Sequence, residues 1–199
     1  MDVVTATNPR RYLAITNALA EDARRCIPEI MNASTGVDQF WARTFVRSFF
    51  ALVEACTYEL RLVVREAVSK GALSVSEGER ALLSESSFDV NAEGGVYERS
   101  RFIPIERNVR FVHTLLERLF GPVATLPVSD YRYAHFKNAV RIRNRITHPK
   151  GPDEVMLSPE DVERTLLAGK WYADVQAALT GRWSELTDEW LAEANSVEL

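Results

Sequence analysis

A short run near the end of a predicted helix, from Arg143 to His148, reads RNRITH and combines an arginine, an asparagine and a histidine. Histidine can transfer a proton near neutral pH. Arginine can bind a phosphate through two parallel hydrogen bonds, or stabilise charge that develops on it. Together these groups suit cleavage of RNA through attack by its own 2′-hydroxyl, a reaction that needs no metal ion.

The direction of Arg143 on its helix strengthens this interpretation. The apolar stripe of that helix is centred at about −40° from Phe136, and Arg143 falls at about −20°, along the stripe. Arg141 and Arg145 fall at about +140° and 180°, toward solvent. A guanidinium on an apolar face is costly unless it is paired or lies at a wet interface. We therefore expect Arg143 to be buried or interfacial, and the three arginines to form an anion-seeking surface.

The spacing of arginine and histidine is not specific by itself. Arg107, Asn108 and His113 repeat the pattern with one more intervening residue. Arg107, however, falls opposite the buried face of its predicted helix, so we expect it to be solvated. His113 and His135 are expected to be packing or surface residues. Orientation, not spacing, favours Arg143 and His148.

The segments that must position these residues are helical, because apolar residues recur with helical periodicity over most of the chain. Main helices are predicted over 9–31, 37–69, 105–120, 129–148 and 158–180, and short ones over 74–83 and 183–194. The stretch 84–104 contains no convincing strand and is interpreted as a flexible insertion or functional loop. The prediction is an all-α bundle of four to five main helices with this long loop. It forms a single domain over 1–199, with a core at about 9–180 and a C-terminal short helix and tail over 181–199.

Composition narrows the classes of function. The chain of 199 residues is 46% hydrophobic and 26% charged, with a net charge of −4, so a strongly basic nucleic-acid footprint is absent overall. No signal peptide or membrane span is expected. The two cysteines are expected to be core residues, and no histidine–carboxylate pair has a metal-binding spacing. We expect a cytoplasmic protein without a metal, a cofactor or a membrane partner.

On the residues Arg143, Asn144 and His148, the chain resembles the HEPN superfamily. In those helical bundles a late helix ends in Arg-x(4–6)-His, often with a polar residue directly after the arginine. The resemblance implies a metal-independent endoribonuclease that acts as a homodimer, with the two motifs meeting at the interface. It also implies a toxin or a component of phage defence, with an antitoxin or defence protein as a partner. In one paired type the antitoxin modifies a tyrosine two residues after the histidine, but this chain has Lys150 there.

Roles follow from the chemistry and from the resemblance. Arg143 is expected to bind the scissile phosphate, His148 to act as general acid or base, and Asn144 to orient His148 or bridge to phosphate. The resemblance also implies an acidic residue on an early helix that faces the arginine. Glu54 is the candidate for this residue, and Glu59 is the alternative.

The cations beside the motif, Arg141, Arg145 and Lys150, are expected to bind the substrate. Two other functions stay open at this stage. The first is a non-catalytic HEPN-like module that dimerises or binds a protein through the second helix and the late aromatic residues, which the acidic charge favours over general RNA binding. The second is a helical regulator bound to nucleic acid, although no helix-turn-helix with a basic recognition helix is found.

Overall fold

The computed structural model describes residues 9–32 and 36–197, with side chains described over 11–32 and 36–181. This part of the chain is mostly helical, in agreement with the all-α prediction. The helices are α1 (Pro9–Met31), α2 (Gln39–Ser69), α3 (Glu77–Leu83), α4 (Ile105–Phe120), α5 (Tyr131–Thr147) and α6 (Pro159–Val197), and one-turn 3-10 helices cover Pro122–Ala124 and Pro152–Val155. Apart from the C-terminal end, the bounds of the main helices agree with the predicted ones to within a turn.

Capping residues define where several helices begin. Asp38 accepts hydrogen bonds from the backbone N–H groups of Phe40 and Trp41 at the start of α2. Before α6, Ser158 Oγ accepts from Asp161 N at 3.1 Å and Asp161 Oδ2 accepts from Ser158 N at 3.0 Å. This reciprocal pair satisfies two donors that a helix end otherwise leaves free. It confirms the cap predicted at Ser158, and it also places the Asp161 carboxylate beside the end of α5.

The helix α2 is central, as its apolar residues on more than one side indicate. It packs against α1, α4, α5 and α6. Aromatic rings from three helices meet on it, with ring centroids 5.1 Å apart for Phe136 and Trp171, 6.1 Å for Phe50 and Phe136, and 6.2 Å for Phe49 and Tyr172. All five rings are buried, and each buried Phe contributes roughly 1.5–3 kcal/mol. This core holds α2 and α5 side by side.

The stretch 84–104 is not a structureless loop, and the prediction that it contains no strand is wrong. Strands β1 (Ser86–Val90) and β2 (Val96–Ser100) form an antiparallel hairpin, with Ser86 opposite Ser100. The turn is closed by Asn91, whose side chain accepts from Gly95 N at 2.6 Å, and by Gly94 at φ 81°. Two runs with β-branched and aromatic residues on either side of an Asn/Gly turn were the signal for this hairpin.

The C-terminal end also differs from the prediction. A break near residue 181 was expected between two helices, but α6 continues without interruption from Pro159 to Val197. The predicted apolar face of Trp183, Leu186, Trp190 and Leu191 lies outside the described side chains. Among the helices of the described residues, none is both long and apolar enough to cross a membrane.

Candidate active-site cleft

A cleft of about 1160 Å³ lies beside the end of α5. Its walls come from the middle of α2, the residues that follow the hairpin, the start of α4 and the loop after α5. All four of the residues predicted to be catalytic line it, namely Glu54, Arg143, Asn144 and His148. We refer to it as the Arg143 cleft.

Arg143 is paired with a carboxylate from α2. Its Nη2 donates to Glu54 Oε1 at 2.7 Å, and its side chain is 24% exposed while that of Glu54 is 50% exposed. The alternative carboxylate, Glu59, is buried and accepts instead from Arg11 Nη2 at 2.9 Å. Of the two candidates, Glu54 is therefore the one that faces Arg143.

Arg143 lies at the edge of the buried face of α5 and not along its centre, which corrects the expected orientation. Ile142 is buried and Val140 only half-buried. Ile142 falls at about −120° from Phe136, so it moves the centre of the buried face away from Arg143. The guanidinium is consequently half-buried and opens into the cleft.

Asn144 and His148 continue the same end of α5. Asn144 Oδ1 accepts from Arg143 Nη1 at 3.2 Å, so the amide and the carboxylate of Glu54 hold the guanidinium from two sides. His148 caps the helix, and its backbone N–H donates to Asn144 O at 3.0 Å. Because Pro149 follows, the helix ends here, and the exposed His148 side chain lines the cleft. A proton-transfer group thus lies beside an oriented cation.

One of the three cations predicted to bind substrate, Arg145, is placed differently from the expectation. Arg145 was expected to point to solvent, but it is half-buried and its Nη2 donates to Asp161 Oδ2 at 2.8 Å and to Met156 O at 3.3 Å. Burial alone would raise the pKa of Asp161, but the Ser158 N–H and the Arg145 guanidinium outweigh it and lower that pKa. Arg145 is therefore engaged in joining α5 to α6, although it borders the cleft.

Arg141 points away from the Arg143 cleft. It is exposed, and its Nη1 donates to Asn138 Oδ1 at 3.1 Å on the same helix. The position is two residues from Arg143, and two residues turn a helix by about 200°. Arg141 therefore does not line the cleft, whereas the exposed Lys150 does.

The cleft also contains charged residues that were not predicted as part of a site. Arg61 on α2 is 4% exposed, and it pairs with Glu85 at 2.5 Å and with Asn108 Oδ1 at 2.9 Å. Arg107 on α4 is exposed, as expected, yet it lines the same cleft. The signal for Arg61 was a charge inside the apolar run LRLVV of α2, which requires a partner.

The other two histidines lie outside the cleft. His113 is buried, and its Nδ1 lies 3.0 Å from Ala124 O. Burial lowers the pKa of His113, although the hydrogen bond to Ala124 acts in the opposite direction. His135 contacts Tyr131 in an edge-on arrangement, with ring centroids 6.1 Å apart. Both histidines thus contribute to packing, as expected.

Comparison with known proteins returned no match to a family model, to a curated protein or to a solved structure. The HEPN resemblance therefore rests on the Arg143–His148 motif and on the order of the helices.

Proposed function

We propose that this chain is a metal-independent endoribonuclease of HEPN type. The observation that carries the proposal is the ion pair between Arg143 and Glu54 in an open cleft, with His148 on the same helix end and Asn144 bonded to the arginine. An oriented guanidinium beside an exposed imidazole has the two abilities that cleavage of a phosphodiester requires, which are charge stabilisation and proton transfer.

In the proposed reaction the 2′-hydroxyl oxygen of the RNA attacks the adjacent phosphorus, and the bond from phosphorus to the 5′-oxygen breaks. The products are a 2′,3′-cyclic phosphate and a 5′-hydroxyl. Arg143 stabilises the charge on the phosphate oxygens during this step. His148 either takes the proton of the 2′-hydroxyl as a base or gives a proton to the leaving 5′-oxygen as an acid, and solvent water transfers the other proton.

Charge in the Arg143 cleft supports an anionic ligand. Glu54 pairs with Arg143 and Glu85 with Arg61, while Glu154 accepts from the backbone N–H of Lys150 at 2.8 Å. Arg107 makes no side-chain hydrogen bond or ion pair to another residue in the described part of the chain. The cleft is thus lined by five basic side chains and four acidic ones, namely Arg61, Arg107, Arg143, Arg145 and Lys150 against Glu54, Glu85, Glu106 and Glu154. This small positive excess, in a protein of net charge −4, favours the binding of a phosphate there.

The resemblance supports the biological setting that we propose. The protein acts in the cytoplasm as a homodimer whose two clefts meet, and it belongs to a toxin–antitoxin pair or to a phage-defence system. An antitoxin or defence protein is then its partner. Lys150 stands where a modified tyrosine would be needed, so the silencing of this enzyme proceeds by another route.

The test is cleavage of a labelled RNA in the presence of EDTA, with wild type, Arg143→Ala and His148→Ala. We expect each variant to reduce the rate by at least about 100-fold. Arg164→Ala and His135→Gln are matched controls, because Arg164 is also in a surface ion pair and His135 is on α5, and neither lines the cleft. Unchanged cleavage by both cleft variants contradicts the proposal.

A second candidate is the non-catalytic module that dimerises or binds another protein. The hairpin favours it, because Phe88, Val90 and Val96 are exposed on one face of two strands. Exposed apolar residues of this kind mark interaction surfaces. Wild-type protein that cleaves no RNA, yet forms a dimer or complex lost in Phe88→Ser, would favour this candidate.

A further inference from the structure

We infer that the part of the cleft formed by Tyr58, Arg61, Phe102 and Arg107 is a second nucleotide subsite, which binds the phosphate and base of a nucleotide close to the scissile one in single-stranded RNA. We call it the Arg61 subsite. The inference rests on the proposed function, because it assigns the substrate of the same cleft as a strand of several nucleotides.

The Arg61 subsite continues from the ion pair along one face of α2. Glu54, Tyr58 and Arg61 are spaced i, i+4 and i+7, so they share a face of the helix. With a rise of 1.5 Å per residue, Arg61 lies about 10 Å along the axis from Glu54. The two cations, Arg143 and Arg61, thus contact different parts of one ligand.

Arg61 is a buried cation with incomplete compensation. Its Nη1 lies 2.5 Å from Glu85 Oε1 and its Nη2 donates to Asn108, while its buried Nε has no hydrogen-bond partner among the described residues. The Glu85 side chain is 48% exposed, so its carboxylate contacts Arg61 from the solvent side. A phosphate that displaces the exposed Glu85 carboxylate from that side takes its place on the Arg61 guanidinium.

The start of α4 adds a second source of positive potential. Pro104 is its N-cap and makes no side-chain hydrogen bond to the first turn, so the first backbone N–H groups have no cap. Such an end favours anions, and Glu106 in the same turn offsets part of this potential. Arg107 projects from this first turn and is exposed in the cleft. An exposed cation and an uncapped helix end therefore flank the buried Arg61.

Aromatic rings complete the subsite and distinguish a nucleotide from a simple anion. The Tyr58 side chain is half-exposed and that of Phe102 is 84% exposed, and both line the cleft. Exposed rings beside arginines are the surfaces on which unpaired bases stack. An acidic peptide could use the arginines, but it would make no equivalent use of two flat rings.

The experiment measures the binding of a labelled single-stranded RNA of eight nucleotides to the full chain carrying His148→Ala, which prevents cleavage. Arg107→Ala is added on this background and should weaken binding about tenfold and reduce the slope of log K against log salt by about one. Tyr58→Ala should weaken binding by about five-fold or more. Arg164→Ala, outside the cleft, should leave both quantities unchanged. The inference is overturned if the Arg107 and Tyr58 variants bind this RNA with the same affinity and the same salt dependence as the His148→Ala protein. It is also overturned if that protein binds no RNA.

Cleavage by the protein with an intact His148 is scored separately. If RNA is bound through Arg107 and Tyr58 but is never cut, the result contradicts the proposed function and supports the Arg61 subsite. If cleavage depends on Arg143 and His148 but the Arg107 and Tyr58 variants bind RNA normally, the result supports the proposed function and overturns the subsite. A protein ligand that competes for the same residues, with no RNA bound, identifies the cleft as a peptide-binding site.

Discussion

Arg143 Nη2 lies 2.7 Å from Glu54 Oε1, which joins two residues 89 positions apart in the chain. Half of the Glu54 side chain is exposed, and ion pairs of that exposure contribute at most about 1 kcal/mol to stability. Stability is therefore a weak reason for the pair. Its clearer effect is geometric, because it holds the plane of the guanidinium in the cleft beside Asn144.

Glu54→Gln should reduce RNA cleavage by about tenfold, less than Arg143→Ala does. The amide keeps the size of the side chain and still accepts a hydrogen bond, but a charged acceptor holds a guanidinium more strongly. The rate of cleavage at saturating RNA is the measurement. Glu160→Gln is the control, since Glu160 is in an exposed ion pair with Arg164 on α6. Equal rates for wild type and Glu54→Gln would show that the carboxylate does not position Arg143.

Arg145→Ala should lower the free energy of unfolding by about 1–3 kcal/mol, because it removes a charged hydrogen bond to the largely buried Asp161. Arg141→Ala, two residues away on the exposed side of α5, should change it by less than about 0.5 kcal/mol. Urea unfolding of the two variants measures the difference. Equal stabilities would contradict the assignment of Arg145 to the joint between α5 and α6.

Glu85 has a left-handed backbone, with φ 54°, at the point where its carboxylate reaches Arg61. Glu85→Ala and Glu85→Gly both remove the carboxylate, but only glycine adopts this backbone without strain. The Gly variant should therefore be more stable than the Ala variant by about 1 kcal/mol. Thermal and urea unfolding of the pair check this. A less stable Gly variant would mean that the segment rearranges once the ion pair is lost.

Stability should fall as the pH drops below about 6.5, because of His113. Burial lowers the pKa of this histidine in the folded protein, so the folded state binds fewer protons than the unfolded state in that range. Its contribution is fully present above the unfolded pKa and is lost as the pH falls toward the folded one. Urea midpoints at about pH 7.5 and about pH 5.5 measure the effect. His113→Gln should show a smaller difference than wild type, and an equal difference would contradict this origin.

Much of the fold could be predicted because helical periodicity and capping residues are local signals. The bounds of α1, α2, α4 and α5 follow from them, as does the cap at Ser158. The hairpin was not predicted because each of its strands has only five residues and their apolar alternation is weak. Its β2 strand is exposed throughout, so no buried apolar face marks that strand in the sequence.

The residues of the candidate site also divide into those that were predicted from the sequence and those that depend on the tertiary structure. The motif at Arg143 and His148 is local, and the carboxylate of Glu54 followed from the resemblance. Arg145 was placed wrongly because a helical wheel for α5 contains no information about Asp161, which α6 brings from another part of the chain. Arg61 and Arg107 became part of a site only when the tertiary structure placed α2 beside the start of α4.

The central claim is that the 2′-hydroxyl of the RNA is the nucleophile. The most direct test, carried out in EDTA, uses an RNA that has a single 2′-deoxynucleotide on the 5′ side of the cut phosphate. Wild type should cut the all-ribose RNA to a 2′,3′-cyclic phosphate and a 5′-hydroxyl, and it should leave the substituted position intact. His148→Ala should cut neither RNA. Cleavage of the substituted position, or products with a 3′-hydroxyl and a 5′-phosphate, would contradict the account.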